Sequence, residues 1–203
     1  LMPIMGYAEL CLDELEPLSP LRENLAIILQ SSQRCKEMVQ HILHTSRPRP
    51  AAPRPVKIQA TVRETIKLLR FSLPPSIEIV HGLEEHCHPV QIDPTQLYQV
   101  IMNLSTNAAQ SLGQGGGNIF VYLTEIAVDA PRPPLENLKP GLYAKLAVID
   151  SGAGMAPEVR QRAFEPFFSA KGESGTGMGL YISQNIVMNH GGAITIDSQP
   201  GGG

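Results

Sequence analysis

A proline-rich segment, residues 47–55 (RPRPAAPRP), divides the 203-residue chain into two differently patterned parts. Four of its nine residues are proline, which removes backbone hydrogen-bond donors and favours extended polyproline geometry. Such a segment is expected to stop the helix that precedes it. It therefore predicts a linker, residues 47–55, between an N-terminal domain, residues 1–46, and a second domain, residues 56–203.

The N-terminal domain carries apolar side chains at helical spacing. The pattern predicts one helix from Leu1 to about Leu15 and a second, begun by Ser19 and Pro20, whose apolar positions reach Ile42. A short turn between them predicts an antiparallel hairpin, which by itself cannot cover both apolar faces. We therefore expect a dimeric four-helix bundle. The alternative is that the two helices fold back on the rest of the same chain.

The second domain alternates helical and strand-like patterns, which is typical of an α+β fold with a mixed sheet and helices on one face. Helices are predicted at residues 60–71, 94–112 and 176–189, and strands at residues 56–59, 77–80, 90–93, 118–128, 142–150 and 193–197.

The charge balance excludes several partners. Sixteen Lys and Arg residues against nineteen Asp and Glu residues give a formal charge of −3, with neither a basic stripe for nucleic acid nor a polybasic patch for a membrane surface. The three cysteines form no CxxC pair, so neither a disulfide framework nor a zinc site is indicated. These features predict that this part of the protein lies in the cytoplasm, whether or not the parent protein has a membrane anchor.

A pair of asparagines, Asn103 and Asn107, lies four residues apart on a predicted helix, so both amides project from one face. Their neutral oxygens could ligate a metal without a second charge. The alternative is that they bond to local backbone.

Two glycine-rich motifs flank a run of phenylalanines, residues 164–168. In the first, VIDSGAGM, Asp150 ends a strand and can accept from an exocyclic amine, while Gly152 and Gly154 let a flat ligand lie against the backbone. The second, GTGMGL, leads directly into a helix, where backbone N–H groups favour phosphate. Each motif alone is common, and their order and spacing make the combination specific.

Together these motifs resemble the bacterial sensor histidine kinases with the GHKL (Bergerat) ATP-binding fold. NLSTNA is similar to the N-box of that family, DSGAGM to its first glycine box, FEPFFSAK to its F-box and GTGMGL to its second glycine box. GYAEL, near the start of the chain, is similar to the stretch just after the phosphoacceptor motif in the first helix of the dimerisation domain. The resemblance implies an α/β sandwich of the Bergerat type, with one further strand after residues 198–203.

The resemblance also implies roles for individual residues. Asp150 would read the adenine amine, Asn107 would hold Mg²⁺, and Asn103 would support it one turn earlier. The implied catalytic residues are Asn103, Asn107 and Lys171. The implied ATP-binding residues are Asn103, Asn107, Asp150, Gly152, Gly154, Lys171, Gly175, Thr176, Gly177, Met178, Gly179 and Leu180.

The implied activity is transfer of the γ-phosphoryl group of Mg-ATP to a histidine just upstream of Leu1, within a homodimer, for relay to a response regulator receiver domain. One alternative is a GHKL-type ATPase, whose water-activating glutamate would stand where this chain has Asn103, a residue that cannot accept the proton. Another is a nucleotide-binding and dimerisation module without a reaction of its own.

The remaining histidines are assigned no catalytic role. His41 and His44 belong to the second predicted helix, where a solvated face is expected. His86, Cys87 and His88 invite a metal interpretation, but adjacent residues on a strand point to opposite faces and chelate poorly.

Overall fold

The computed structural model describes residues 2–16, 19–29, 31–32, 53–130, 135–169 and 176–203. The chain separates into two compact units, Leu1–Pro50 and Ala51–Gly203. The boundary between them falls inside the predicted linker. No helix in the described ranges is long and apolar enough to cross a membrane.

The first unit contains helix α1, Met2–Glu14, and a second helix, α2, described at residues 21–29 and 31–32. The Arg22 guanidinium donates to the carbonyls of Leu12 and Leu15, each at 2.8 Å. These carbonyls lie where a helix end leaves acceptors without intrahelical partners, so Arg22 caps the end of α1 from the first turn of α2. The predicted continuation of this second helix, including Cys35, His41 and His44, lies outside the described residues.

The second unit is built on a mixed sheet with the order β2-β4-β5, formed by Ile77–Leu83, Gly117–Val128 and Gly141–Asp150. Strand β2 runs parallel to β4, and β5 runs antiparallel to β4. Two short strands, β1 (Arg54–Val56) and β3 (Val90–Ile92), form a separate antiparallel pair. The predicted mixed sheet is confirmed.

The helices of this unit are α3 (Ile58–Ser72), α4 (Pro94–Leu112), the short α5 (Pro157–Arg162) and α6 (Gly179–Asn189). Helices α3 and α4 pack on one face of the sheet, and α6 packs on α4. The side chains buried completely between these layers include Val62, Thr65, Ile66, Leu69, Ile101, Ile119, Val121 and Leu123.

Helix α4 has the bounds that the sequence predicts. Asp93 caps its start by accepting from the Thr95 backbone N–H at 2.8 Å, and Pro94 occupies the first turn. Gly113, with a φ of 61°, follows the last helical residue.

Several predicted elements differ from the structure. The smallest differences are in β2, which runs to Leu83 instead of residue 80, and in α3, which begins at Ile58 instead of residue 60. Residues 193–197 form no strand: from Ile194 onward half-buried and exposed residues alternate, but no described strand pairs with them. Beyond them the chain bonds instead to the loop after β5, where Gly201 N–H donates to the Ala153 carbonyl at 2.7 Å. The strand predicted at residues 56–59 instead spans Arg54–Val56, so the last two residues of the predicted linker belong to it, and it ends at Val56 because α3 already begins at Ile58. Helix α6 begins at Gly179 instead of Thr176, because Gly177 has a left-handed φ of 66°, which a residue inside a right-handed helix cannot adopt.

Candidate functional site

Helix α4 presents Asn103, Asn107 and Ser111 at intervals of four residues, so the three polar side chains share one face. One end of this row meets the first glycine loop, which we define as residues 150–155. The other end meets the second glycine loop, residues 175–180, of which 176–180 are described. The row therefore connects the two glycine motifs that the sequence singles out.

At the first glycine loop, the Ser111 hydroxyl donates to Oδ1 of Asp150. The Gly152 backbone N–H donates to the same oxygen at 2.9 Å. Neither bond involves Oδ2, and in the described ranges no other group donates to this carboxylate. The end of β5 thus holds a carboxylate with one oxygen engaged and one available to a ligand.

Gly152 and Gly154 fit closely against the protein itself. A Cβ at Gly152 would lie 2.7 Å from the backbone carbonyl carbon of Ser111 and closer still to its hydroxyl. Gly154 has a φ of 66°, and a Cβ there would overlap the Gln199 carbonyl. Sequence reasoning assigned both glycines to close approach by a flat ligand, whereas the structure shows that α4 and the C-terminal segment already require them.

At the second glycine loop, Asn103 joins α4 to α6. Its amide nitrogen donates to the Gly179 carbonyl at 3.1 Å and to the Ser183 hydroxyl at 3.3 Å. A Cβ at Gly179 would lie 3.7 Å from the amide nitrogen of Asn107 and 3.8 Å from Asn103. Both predicted asparagines therefore lie directly against the start of α6.

Among the described residues, no side chain caps the N-terminus of α6. The preceding residue, Met178, is buried and makes no capping bond, and the first turn holds no acidic residue. The first backbone N–H groups of any helix lack intrahelical acceptors, so this end attracts an anion. Thr176, Gly177 and Leu180 are half-buried around it. Lys171 and Gly175, also predicted for this site, lie outside the described residues.

The phenylalanine segment, residues 164–169, is irregular, as Pro166 predicts. Phe167 is 64% exposed and has a φ of 65°, a conformation unusual for a residue other than glycine. The Arg162 guanidinium lies 4.2 Å from the centre of the Phe168 ring. A Cβ at Gly177 would lie 2.6 Å from the Phe168 carbonyl oxygen, so this segment packs against the second glycine loop.

The histidine and cysteine cluster at residues 86–88 makes bonds away from this site. The Nδ1 atom of His88 lies 2.9 Å from Oε2 of Glu125, and the His88 backbone N–H donates to that oxygen at 2.8 Å. These bonds lower the pKa of Glu125, the backbone bond most strongly. Burial, with the nearby carboxylates of Glu84 and Glu125, raises the pKa of the Cys87 thiol. No group of three or more His, Cys, Asp and Glu side chains in the described ranges is arranged to hold a metal.

Sequence reasoning missed Ser111 and Ser183. The signal for Ser111 was available, because the four-residue spacing of Asn103 and Asn107 continues to position 111. Ser183 carried no such signal, since only the packing of α6 on α4 brings it to Asn103.

Comparison with known proteins decides the family. Residues 92–203, which contain both glycine loops and all of α4, match the family described as histidine kinase-, DNA gyrase B-, and HSP90-like ATPase. The chain belongs to this family. Membership implies that the second unit binds ATP, and it confirms the identification made from the four sequence motifs.

Among the members of this family, the chain is similar in sequence and in structure to histidine kinases. The chain is 29% identical over 198 residues to the sensory histidine kinase/phosphatase NtrB of Escherichia coli O157:H7, covering 98% of this chain and 54% of NtrB. It resembles the structure of the mycobacterial sensor histidine kinase MprB with a TM-score of 0.55 at 27% identity, covering 71% of this chain and 85% of MprB. The chain spans about half the length of NtrB.

A third likeness extends over almost the whole chain. The crystal structure of the histidine kinase ThkA in complex with the response regulator protein TrrA matches with a TM-score of 0.65 at 21% identity. The match covers 99% of this chain and 55% of ThkA. At this identity the likeness shows a shared fold.

Proposed function

We propose that this chain is the ATP-dependent kinase core of a histidine kinase in a two-component signalling system. In the proposed reaction, the second unit binds Mg-ATP and the γ-phosphoryl group passes to a histidine just upstream of Leu1 in the parent protein. The observation that carries the proposal is the polar row of Asn103, Asn107 and Ser111. It links a carboxylate at one glycine loop to a helix N-terminus at the other, and no described side chain caps that N-terminus.

The adenine end of the site is Asp150. Its Oδ1 accepts from Ser111 and Gly152, and its Oδ2 has no partner among the described residues, so Oδ2 can accept from the exocyclic amine of adenine. The triphosphate would then extend along α4 toward the second glycine loop, where the α6 N-terminus favours negative charge.

The proposed metal residue is Asn107, whose amide lies beside Gly179 at the start of α6. One neutral amide oxygen suits a magnesium ion that takes most of its ligands from phosphates and water. Bound Mg-ATP supplies the transferable phosphoryl group and the cation that neutralises its charge. The residues of this chain would position the nucleotide, and the positive end of the α6 helix dipole would stabilise the charge of the phosphates.

Transfer to a protein side chain is favoured over hydrolysis by the chemistry of Asn103. An amide cannot take a proton from water as a general base. Its nitrogen is also engaged with Gly179 and Ser183, which fixes the side chain as a link between helices. These contacts count against the ATPase alternative, whose mechanism needs a carboxylate at this position.

We propose that the chain dimerises through its first unit, because α1 and α2 carry exposed apolar side chains. Tyr7 is 71% exposed, Leu10 58%, Leu21 56% and Ile27 53%. Pairing of two helical hairpins in a four-helix bundle would bury such side chains. The histidine then passes the phosphoryl group to a response regulator receiver domain, by analogy with the ThkA–TrrA complex, and the proposed location is the cytoplasm.

The decisive experiment is phosphoryl transfer in trans. The chain is mixed with labelled ATP and a longer form of the parent protein that carries the upstream histidine but has its own Asp150 and Asn107 replaced by alanine. We expect acid-labile label on the longer partner. Asn107→Ala in the donor chain should abolish it, whereas Asn185→Ala, which removes an exposed asparagine from α6, should not. Labelling of the chain in the absence of the longer partner, or release of free phosphate alone, would contradict the proposal.

A further inference from the structure

Ser111 contacts three of the residues of the first glycine loop, Asp150, Gly152 and Ala153. Its hydroxyl donates to Oδ1 of Asp150, and its carbonyl accepts from the Ala153 N–H at 3.5 Å. The space next to Gly152, where a Cβ would lie, is filled by the Ser111 hydroxyl and carbonyl carbon. One residue of α4 thus bonds to the carboxylate and also packs against the loop that follows it.

The hydroxyl fixes how the carboxylate is presented. Oδ1 accepts from two donors on different elements, Ser111 on α4 and the Gly152 backbone. A rotation of the carboxylate would break at least one of these bonds, so Oδ2 remains the oxygen that faces a ligand. Hydrogen bonds weaken steeply when donor and acceptor are misaligned, so a fixed Oδ2 discriminates between ligand groups better than a rotating one.

We propose that Ser111 is a specificity-determining positioning residue: by engaging Oδ1 of Asp150 it makes the site select a purine with an amino group at position 6 over the same purine with a carbonyl there. The inference rests on the proposed function, because it takes Asp150 as the group that reads the base. A carbonyl at that position would face the acceptor Oδ2 without a hydrogen between them, which leaves both groups unsatisfied.

A purely structural role for Ser111 makes a different prediction. If the residue only tethers the loop, its hydroxyl supports the binding of all nucleotides equally. Its removal then weakens the binding of ATP and the binding of inosine triphosphate by the same factor. These two nucleotides share the ribose and the triphosphate and differ at position 6 of the base. The ratio of their affinities therefore isolates the presentation of Oδ2 from the integrity of the loop.

The test is calorimetric titration of the chain with ATP and with inosine triphosphate. For Ser111→Ala we expect the affinity for ATP to fall by about tenfold, which is the order expected for the loss of one hydrogen bond to a charged group. The affinity for inosine triphosphate should stay nearly unchanged. Ser111→Thr keeps a hydroxyl and should restore most of the ratio. The control Ser105→Ala removes a completely buried hydroxyl of the same helix, one without a hydrogen-bond partner among the described residues, and it should leave the ratio as it was.

Unchanged binding of inosine triphosphate by Ser111→Ala also shows that the variant is folded. An equal loss of affinity for both nucleotides, or an unchanged ratio, would overturn the inference and leave the proposed function intact. Failure of the unsubstituted chain to bind ATP, or to prefer ATP over inosine triphosphate, would instead overturn the assignment of Asp150, and this inference with it.

Discussion

The amide nitrogen of Asn103 donates a hydrogen bond to the hydroxyl of Ser183, 3.3 Å away, across the interface between α4 and α6. The same nitrogen donates to the Gly179 carbonyl, to which Ser183 also donates at 2.9 Å. Since Ser183 is completely buried, this small network sets where the first turn of α6 lies. The position of the proposed phosphate-binding helix end therefore depends on one asparagine of α4.

Replacing Asn103 by Asp should destabilise the second unit. The substitution keeps the shape of the side chain, but it replaces the donor with an acceptor that faces the Gly179 carbonyl. We expect the free energy of unfolding, measured by urea denaturation, to fall by about 1–3 kcal/mol, the cost of leaving buried polar groups unpaired. Asn185→Asp, an exposed position on α6, is the matched control. Equal stabilities for the two variants would rule out the bridging role.

Replacing Asp150 by Asn should weaken ATP binding without unfolding the chain. The Asn oxygen can still accept from Ser111 and Gly152, which leaves an amide donor facing the donor amine of adenine. We expect a loss of ~1–3 kcal/mol in calorimetric binding free energy, typical of a hydrogen bond to a charged group. Asp197→Asn changes a fully exposed carboxylate and should leave the affinity as it was. An unaltered affinity in Asp150→Asn would remove Asp150 from the site.

Gly152→Ala should be far more damaging than an alanine at an open glycine. The added methyl group would lie 2.7 Å from both Oδ1 of Asp150 and the Ser111 carbonyl carbon, so the loop must move and the carboxylate with it. Overpacking of this kind costs about 1–3 kcal/mol of unfolding free energy, and we expect ATP affinity to fall as well. Gly115→Ala meets no atom within 4 Å and serves as the control. Normal stability and ATP binding in Gly152→Ala would disprove the close fit.

The elements that the sequence predicts well are those with local signals at both ends. Helix α4 begins with the Asp93-Pro94 cap and ends before Gly113, so its bounds follow from nearby residues alone. Residues 193–197 have the alternation of a strand, but a strand exists only where a partner pairs with it, and that depends on distant segments. The same reason hides the site contacts: Ser111 and Asp150 are 39 residues apart, and only the docking of α4 on β5 joins them.

A charged residue on the exposed apolar face of α2 should prevent dimerisation. Ile28 is 44% exposed and lies beside Ile27 in the first unit, where the proposed bundle would bury it. Ile28→Asp would place an unpaired charge in that interface, so we expect a monomer by light scattering at a concentration where the unsubstituted chain is a dimer. Ala26→Asp adds the same charge at an exposed position on the opposite side of α2 from Ile28 and should stay dimeric. A monomeric unsubstituted chain would count against the bundle.

The bonds from His88 to Glu125 predict how stability depends on pH. Because these bonds lower the pKa of Glu125 from its ordinary value of 4.5, the folded state binds the proton less readily than the unfolded state. The stabilisation is therefore present above the unfolded-state pKa and is lost as pH falls through the folded-state pKa. Glu125→Gln should be less stable than the unsubstituted chain at pH ~7, and the difference should shrink toward pH ~3, as followed by urea denaturation. Glu64→Gln, on the exposed face of α3, controls for the charge change. A difference that stays constant across this range would show that the carboxylate of Glu125 does not stabilise the fold through its charge.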